Sequence, residues 1–173
     1  MNPSASKRYL RKKISSPVGE LRLIASDAGL AALLFRDDIA RHLGSRAVVA
    51  DGEHPVLADA ERQLDEYFAR RRKSFALPLD FVGTEFQCRV WSALLTIPFG
   101  ETRSYAQIAA QIGSPAAMRA VGAANGRNPI SIIAPCHRVI GSDGSLTGFG
   151  GGLANKALLL ELESPQPDLL KGV

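Results

Sequence analysis

The chain is poor in thiols: its 173 residues include two cysteines, Cys88 and Cys136, far apart and with no Cys-x-x-Cys spacing. A disulfide framework or a structural zinc site would need more ligands in closer groups. Histidine is equally sparse, and His42 and His54 have no ligand-type neighbours. They read as surface residues, and no metal is expected. The basic residues Lys7, Arg8, Arg11, Lys12 and Lys13 are followed by no apolar run, so neither a secretory signal nor a membrane span is expected and the protein should be cytoplasmic. A nucleotide-cofactor signature is missing too. Gly148-Phe149-Gly150-Gly151-Gly152 lacks the G-x-G-x-x-G spacing of a dinucleotide site, and no Gly-Lys-Ser/Thr run follows it, so no cofactor is expected. Such a run could instead let backbone N–H groups approach a planar ligand.

One further absence points toward function. No Asp or Glu lies between Glu101 and Asp143, whereas Arg103, Arg119, Arg127 and Arg138 fall inside that window. A surface lying against phosphates needs this, because every carboxylate there would repel the ligand. The overall charge of +4 and pI of about 9.3 suit a polyanionic partner without demanding one. A second basic run, Arg70 to Lys73, closes a helical segment and reads as a complement to the helix dipole.

With 46% hydrophobic residues the chain can build a core for one or two small domains. Leu21, Leu23 and Ala25 alternate with Arg22, Ile24 and Ser26 between turn signals, a hairpin pattern. Residues 55–72 change to helical period through Leu57, Ala60, Leu64 and Phe68, and residues 74–81 can return as a strand. No residue in this half calls for chemistry, and Phe81-Val82-Gly83 marks the expected boundary, giving domains 1–82 and 83–173. Thr84 with Gln87, and Ser104 with Gln107, are capping-box patterns opening two helices, the first ending at Pro98 and the second at Gly113. Cys88 and Trp91 read as packing residues of the first. Ser114 followed by Pro115 predicts the start of a third, alanine-rich helix over residues 115–126. Two short helices around a glycine turn form a helix-turn-helix candidate, a pattern that buried helical hairpins share. Ala116, Ala117, Ala120, Ala123 and Ala124 cannot read base edges by hydrogen bonding but permit close approach, which suits the minor groove; helix propensity and tight packing explain them equally. A last helix passes through Leu158, Leu159 and Leu162, and residues 165–173 read as a loosely held tail.

The chemistry concentrates in Pro135-Cys136-His137-Arg138-Val139, which follows the uncharged run Ile130 to Ala134. A thiol followed directly by an imidazole and a guanidinium has neighbours able to favour its thiolate, so a lowered pKa is expected. Isolated cysteines in apolar surroundings are also ordinary core residues. The pentapeptide alone supports both readings.

Together, Arg103-Ser104-Tyr105, Arg119-Ala120-Val121-Gly122, Asn128-Pro129, Pro135-Cys136-His137-Arg138-Val139 and Gly151-Gly152-Leu153 resemble, in order and spacing, the O6-alkylguanine-DNA alkyltransferases, or methylated-DNA–protein-cysteine methyltransferases. The resemblance spans nearly the whole chain. It implies an α/β (α+β) protein with an N-terminal ribonuclease H-like sheet-and-helix domain and a C-terminal helical, winged-helix-like domain whose helix-turn-helix binds the DNA minor groove. The implied substrate is double-stranded DNA carrying O6-alkylguanine, with O4-methylthymine as a second lesion, and the implied state is a monomer whose cooperativity on DNA stays open. By the same resemblance Cys136 accepts the alkyl group once and irreversibly, and His137, through a water, and Glu163 take the thiol proton. Asn128 braces the turn before the nucleophile. Arg119 fills the space left by a flipped nucleotide, Tyr105 assists flipping and donates to the purine, and the carbonyls of Cys136 and Val139 accept from the base. Ala120 lies on the DNA-facing helix and Arg138 in the basic window.

Two positions depart from a common form of the motif. Phe149 stands where some members carry Tyr and Gly150 where some carry Ser, which retains a backbone N–H for guanine O6 but loses a hydroxyl. Two rival classes remain in view: a lesion sensor resembling the alkyltransferase-like proteins, which lack the cysteine present here, and a helix-turn-helix regulator, for which no effector or dimerisation segment is evident. A cysteine hydrolase fits less well, because such enzymes draw their histidine from a distant part of the chain.

Overall fold

The computed structural model describes residues 6–165. The tail expected over residues 165–173 lies, apart from its first residue, outside them. Four strands, β1 (Arg8–Ile14), β2 (Leu21–Ser26), β3 (Gly29–Leu34) and β4 (Val48–Asp51), form one sheet in the order β3-β2-β1-β4. The β1–β2 and β2–β3 pairs are antiparallel, while β4 joins β1 in parallel after the short helix α1 (Ile39–Leu43). The alternation in β2 does set which side chains face helix α2 (Pro55–Phe68), since Leu21, Leu23 and Ala25 share a cluster with Leu57, Ala60 and Leu64. The opposite face is covered as well. Ile24 packs with Tyr9, Ala31, Leu34 and Leu43, so both faces of β2 and β3 are covered.

Two sequence expectations need correction here. Helix α2 stops at Phe68, and Arg70 has φ 60, so the basic run lies in the turn beyond the helix; Arg72 reaches back to Glu66 at 2.8 Å. Residues 74–81 form no strand, because Pro78 lacks an N–H for a ladder. They run instead along β3, with Leu30 N donating to Pro78 O at 2.8 Å and Asp80 N to Leu30 O at 2.8 Å. The same edge strand receives the segment before the nucleophile, through Leu33 N to Pro129 O at 2.8 Å and Ser131 N to Leu33 O at 3.3 Å. An otherwise open edge is thereby satisfied by two extended segments.

The C-terminal half is helical, with α3 (Glu85–Leu94), α4 (Tyr105–Gln111), α5 (Met118–Gly126) and α6 (Leu153–Leu162). Both capping boxes form: Thr84 and Ser104 each accept from the backbone of the residue three positions on, and the glutamines there return the bond. Gly83 brings the chain close to the Trp91 ring, where a Cβ would sit 2.5 Å from ring carbons. Gly113, at φ +77, supplies the left-handed turn that ends α4. The third helix begins later than the Ser114-Pro115 pattern predicts. Residues 114–117 form a turn, with Ala117 N donating to Ser114 O at 2.9 Å, and α5 starts at Met118 with no side-chain cap. Trp91, buried on α3, donates Nε1 to Ala124 O at 2.8 Å and locks α5 against α3. Short strands β5 (Arg103–Ser104) and β6 (Val139–Ile140) pair in parallel beside α4.

The two halves share a core. Ile130, Ile132 and Ile133 and Leu159 of α6 pack into the same cluster as the face of β2 and β3 that meets α2. Each such aliphatic side chain contributes roughly 1.5–3 kcal/mol on burial. The apolar run before Cys136 is therefore the seam that fastens Cys136 to the N-terminal sheet.

Candidate active site

The seam carries backbone strain next to the thiol. Ile132 adopts φ 71, a left-handed conformation that a β-branched residue rarely takes. Asn128 holds the bend: its Nδ2 donates to Ala134 O at 2.7 Å, and its Oδ1 accepts from Ile130 N at 3.0 Å. The chain then makes a single 3-10 turn over Cys136–Arg138. Cys136 is only 4% exposed, at the floor of a cleft of about 260 Å³ whose walls come from both halves. Phe35, Arg36 and His42 line it on one side, and Asn125, Asn128, Ser131, Phe149 and Gly150 on the other. Phe149 stands edge-on to Phe35 at 5.4 Å.

Burial pushes the Cys136 thiol up from the ordinary cysteine value, against hydrogen bonding from Asn128 and Ser131 and the charge of Lys156, which act the other way. The expected lowering is therefore not found. Arg138, the presumed activating and phosphate-facing cation, explains part of this. It is 6% exposed and turns inward, giving Nε to Glu163 Oε2 and Nη2 to Glu163 Oε1, both at 2.8 Å, and Nη1 to Ile97 O at 2.6 Å. Its place is structural rather than on the DNA-facing surface.

His137 is fully buried, and its Nε2 lies 2.7 Å from Glu163 Oε1. Burial raises the Glu163 pKa, but hydrogen bonds from His137 and Arg138 outweigh it and hold the carboxyl at about 2. An ionised carboxylate only accepts, so Nε2 must carry the imidazole proton and Nδ1 is left as a bare acceptor. That Nδ1 is buried with no protein partner. Burial also lowers the His137 pKa, partly offset by Glu163, which keeps the ring neutral and able to take a proton.

The remaining expected residues lie on the elements around the thiol, with Tyr105 packed against the cluster that holds Cys136 and Val139. Tyr105 opens α4 with its hydroxyl 3.2 Å from both Thr147 O and Thr147 Oγ1. Arg119, Ala120 and Arg127 are exposed on or just beyond α5. The Val139 carbonyl already accepts from Lys156 Nζ at 2.6 Å, and the Cys136 carbonyl accepts both from Asn125 Nδ2 at 3.4 Å and from the Val139 N–H, so neither carbonyl is without a protein donor.

Four contributors escaped the sequence reading. Lys156 is fully buried, its ammonium bonded to Val139 O and to Thr147 O at 2.7 Å; the signal was a lysine on the same α6 face as Leu159 and Glu163. His42 is not a surface residue: its side chain is buried against the cleft, with Nε2 3.4 Å from Asp38 and Nδ1 unpartnered. His54 caps α2 by accepting from Val56 N at 3.1 Å. Tyr67 of α2 reaches Glu163 Oε1 at 2.7 Å.

Comparison with known proteins gives this geometry its family. The 6-O-methylguanine DNA methyltransferase ribonuclease-like domain matches residues 9–81, and the DNA-binding domain of the same enzymes matches residues 85–165. The methylated-DNA–protein-cysteine methyltransferase of Mycobacterium leprae is 53% identical over 155 residues, which is 90% of this chain and 92% of that protein. The chain belongs to the methylated-DNA–protein-cysteine methyltransferase family. The constitutive methylated-DNA–protein-cysteine methyltransferase of Bacillus subtilis is 47% identical over 152 residues, 86% of this chain and 91% of its own. Among solved structures, the Mycobacterium tuberculosis O6-methylguanine methyltransferase superposes with a TM-score of 0.78 at 48% identity, covering 95% of this chain and 97% of that one. A Mycobacterium tuberculosis OGT determined in complex with DNA gives 0.77 at 49% identity, covering 91% and 95%. The protein described above is thus a DNA-binding methyltransferase of DNA repair with the mixed α/β fold of its family. No helix among the described residues is long and apolar enough to cross a membrane.

Proposed function

We propose that the protein repairs O6-alkylguanine, and O4-methylthymine, in double-stranded DNA by moving the alkyl group to Cys136 in one irreversible step. The observation that carries this reading is the buried thiol at the cleft floor beside a neutral histidine whose unpartnered Nδ1 is free to accept a proton. A water between thiol and Nδ1 would pass the Cys136 proton to His137, and Glu163 would stabilise the resulting imidazolium. The thiolate sulfur attacks the alkyl carbon in line, the carbon–O6 bond breaks, and its electron pair goes to the purine, with Tyr105 donating toward the developing charge. Burial raises the Cys136 pKa, so in this reading the thiol proton leaves through His137 rather than from a standing thiolate. A thioether is stable and the site holds no second thiol to regenerate it.

A lesion in a duplex is hidden in the base stack, so the nucleotide must flip, at a cost of a few kcal/mol. The exposed small-residue face of α5, with Ala120 and Ala123, suits a helix lying in the minor groove, and Arg119 from the same helix would occupy the vacated space. Asn128 keeps the thiol aimed at the cleft, while Gly150 offers its backbone N–H to guanine O6. In this reading domain 1–82 supports domain 83–173, and the working form is a cytoplasmic monomer. Incubation with duplex DNA carrying O6-methylguanine should add one methyl mass per protein, on the peptide containing Cys136. Repeated turnover, or label on Cys88, would overturn the mechanism.

A further inference from the structure

Glu163 Oε1 is unusually crowded with donors. Tyr67 Oη and His137 Nε2 each lie 2.7 Å from it, and Arg138 Nη2 lies 2.8 Å away, while Oε2 accepts from Arg138 Nε. Two of these donors directly follow Cys136 in sequence. The third comes from α2, 96 residues earlier, in the half of the chain where sequence alone shows no chemistry. Tyr67 is 1% exposed and held by ring contacts to Phe68, Phe75 and Phe99 at 5.2, 5.4 and 6.3 Å.

The carboxylate can only accept, so the Tyr67 hydroxyl donates its proton to Oε1. A donor at that oxygen draws on the same negative charge that stabilises an imidazolium on His137. We propose that Tyr67 is a positioning residue for methyl transfer: its hydroxyl fixes Glu163 Oε1 opposite His137 and limits how firmly that carboxylate holds a proton on the imidazole. This rests on the relay described under the proposed function. The ring of His137 is faced by Glu163, by Arg138 and by Lys156 of α6, and Tyr67 is faced by Glu163 and Arg138; a substitution at Tyr67 keeps all of these side chains and removes only its own bond to Glu163. Tyr67 itself stays protonated at all accessible pH, because burial and the adjacent carboxylate both raise its pKa. The N-terminal half thus sets the basicity of a group in the C-terminal site.

Removing the hydroxyl should let Glu163 favour the imidazolium more strongly and keep His137 protonated to higher pH. Single-turnover transfer from duplex DNA carrying O6-methylguanine, followed from pH 5 to 9, tests this on the full chain. Tyr67→Phe should move the acidic limb of the rate profile up by about half to one pH unit, a three- to tenfold loss low on that limb, with affinity for unmodified duplex unchanged. Phe75→Leu, which loosens the ring packing but leaves the hydroxyl, should lower Tm without moving the limb. Introducing 3-fluorotyrosine at position 67 only, a sharper donor that retains ring and hydroxyl, should move the limb down, and this variant decides the matter if Tyr67→Phe does not fold. A Tyr67→Phe or fluorotyrosine profile that superimposes on the parent, or an equal shift in Phe75→Leu, overturns the proposal. Absence of transfer by the parent protein would instead overturn the function on which it rests.

Discussion

Glu163→Gln is the substitution whose consequence can be worked through most fully. In the folded protein the carboxylate stays ionised because burial, which raises its pKa, is outweighed by His137 and Arg138, leaving it at about 2 against 4.5 for an unperturbed glutamate. A depressed folded-state pKa contributes stability that is present above the unfolded value and is lost as pH falls through the folded one. At about 1.4 kcal/mol per pKa unit the displacement corresponds to about 3 kcal/mol at pH 7, falling to about half of that at pH 3. An independent argument agrees in size: deleting one partner of a buried ion pair leaves Arg138 uncompensated, at a cost of about 3–5 kcal/mol. Urea unfolding of parent and variant at pH 7, 4 and 3 should show a difference that narrows on acidification, with m-values unchanged. Methyl transfer by the folded variant should also slow, since the imidazolium loses its counter-charge. A stability difference below about 1 kcal/mol at pH 7, or one independent of pH, would refute the pairing energetics. Transfer at the parental rate across the pH range would refute the relay.

The other expectations separate residues that the sequence treated alike. Arg127→Ala should lower the slope of log affinity against log salt for unmodified duplex by about 0.9, whereas Arg138→Ala should leave that slope alone and lower Tm instead. Arg119→Ala should slow repair of O6-methylguanine in duplex DNA while reaction with the free modified base stays near normal; equal losses on both would remove it from flipping. Lys156→Met would take a donor from the buried Val139 carbonyl and remove a charge that favours the thiolate. It should therefore destabilise by about 1–3 kcal/mol for the lost donor and shift the iodoacetamide reactivity of Cys136 to still higher pH, both measurable without DNA.

The capping boxes at Thr84 and Ser104, the alternation in β2 and the motif around Cys136 were all legible in the chain, because each depends on residues a few positions apart. The same locality explains the errors. Ser114-Pro115 is a valid local start signal, yet the turn at residues 114–117 closes on its own backbone and the helix begins at Met118. Residues 74–81 have the composition of a strand, but Pro78 permits only isolated bonds to β3.

What the sequence determined by itself was the candidate nucleophile, Cys136, and its immediate neighbours, since a Pro-Cys-His-Arg-Val run sets covalent adjacency whatever the fold. Which way those neighbours point was decided in three dimensions. Arg138 follows His137 in the chain, yet Glu163, 25 residues on, draws it inward, because a buried carboxylate must have its lone pairs satisfied and a guanidinium offers the matching fork. The sign of the thiol's pKa shift followed from desolvation at the cleft floor, which no linear pattern encodes. The contributions of Tyr67, His42 and Lys156 likewise depended on the shared core, where β3 takes the segment before Cys136 along its edge and brings α2 within a hydrogen bond of Glu163.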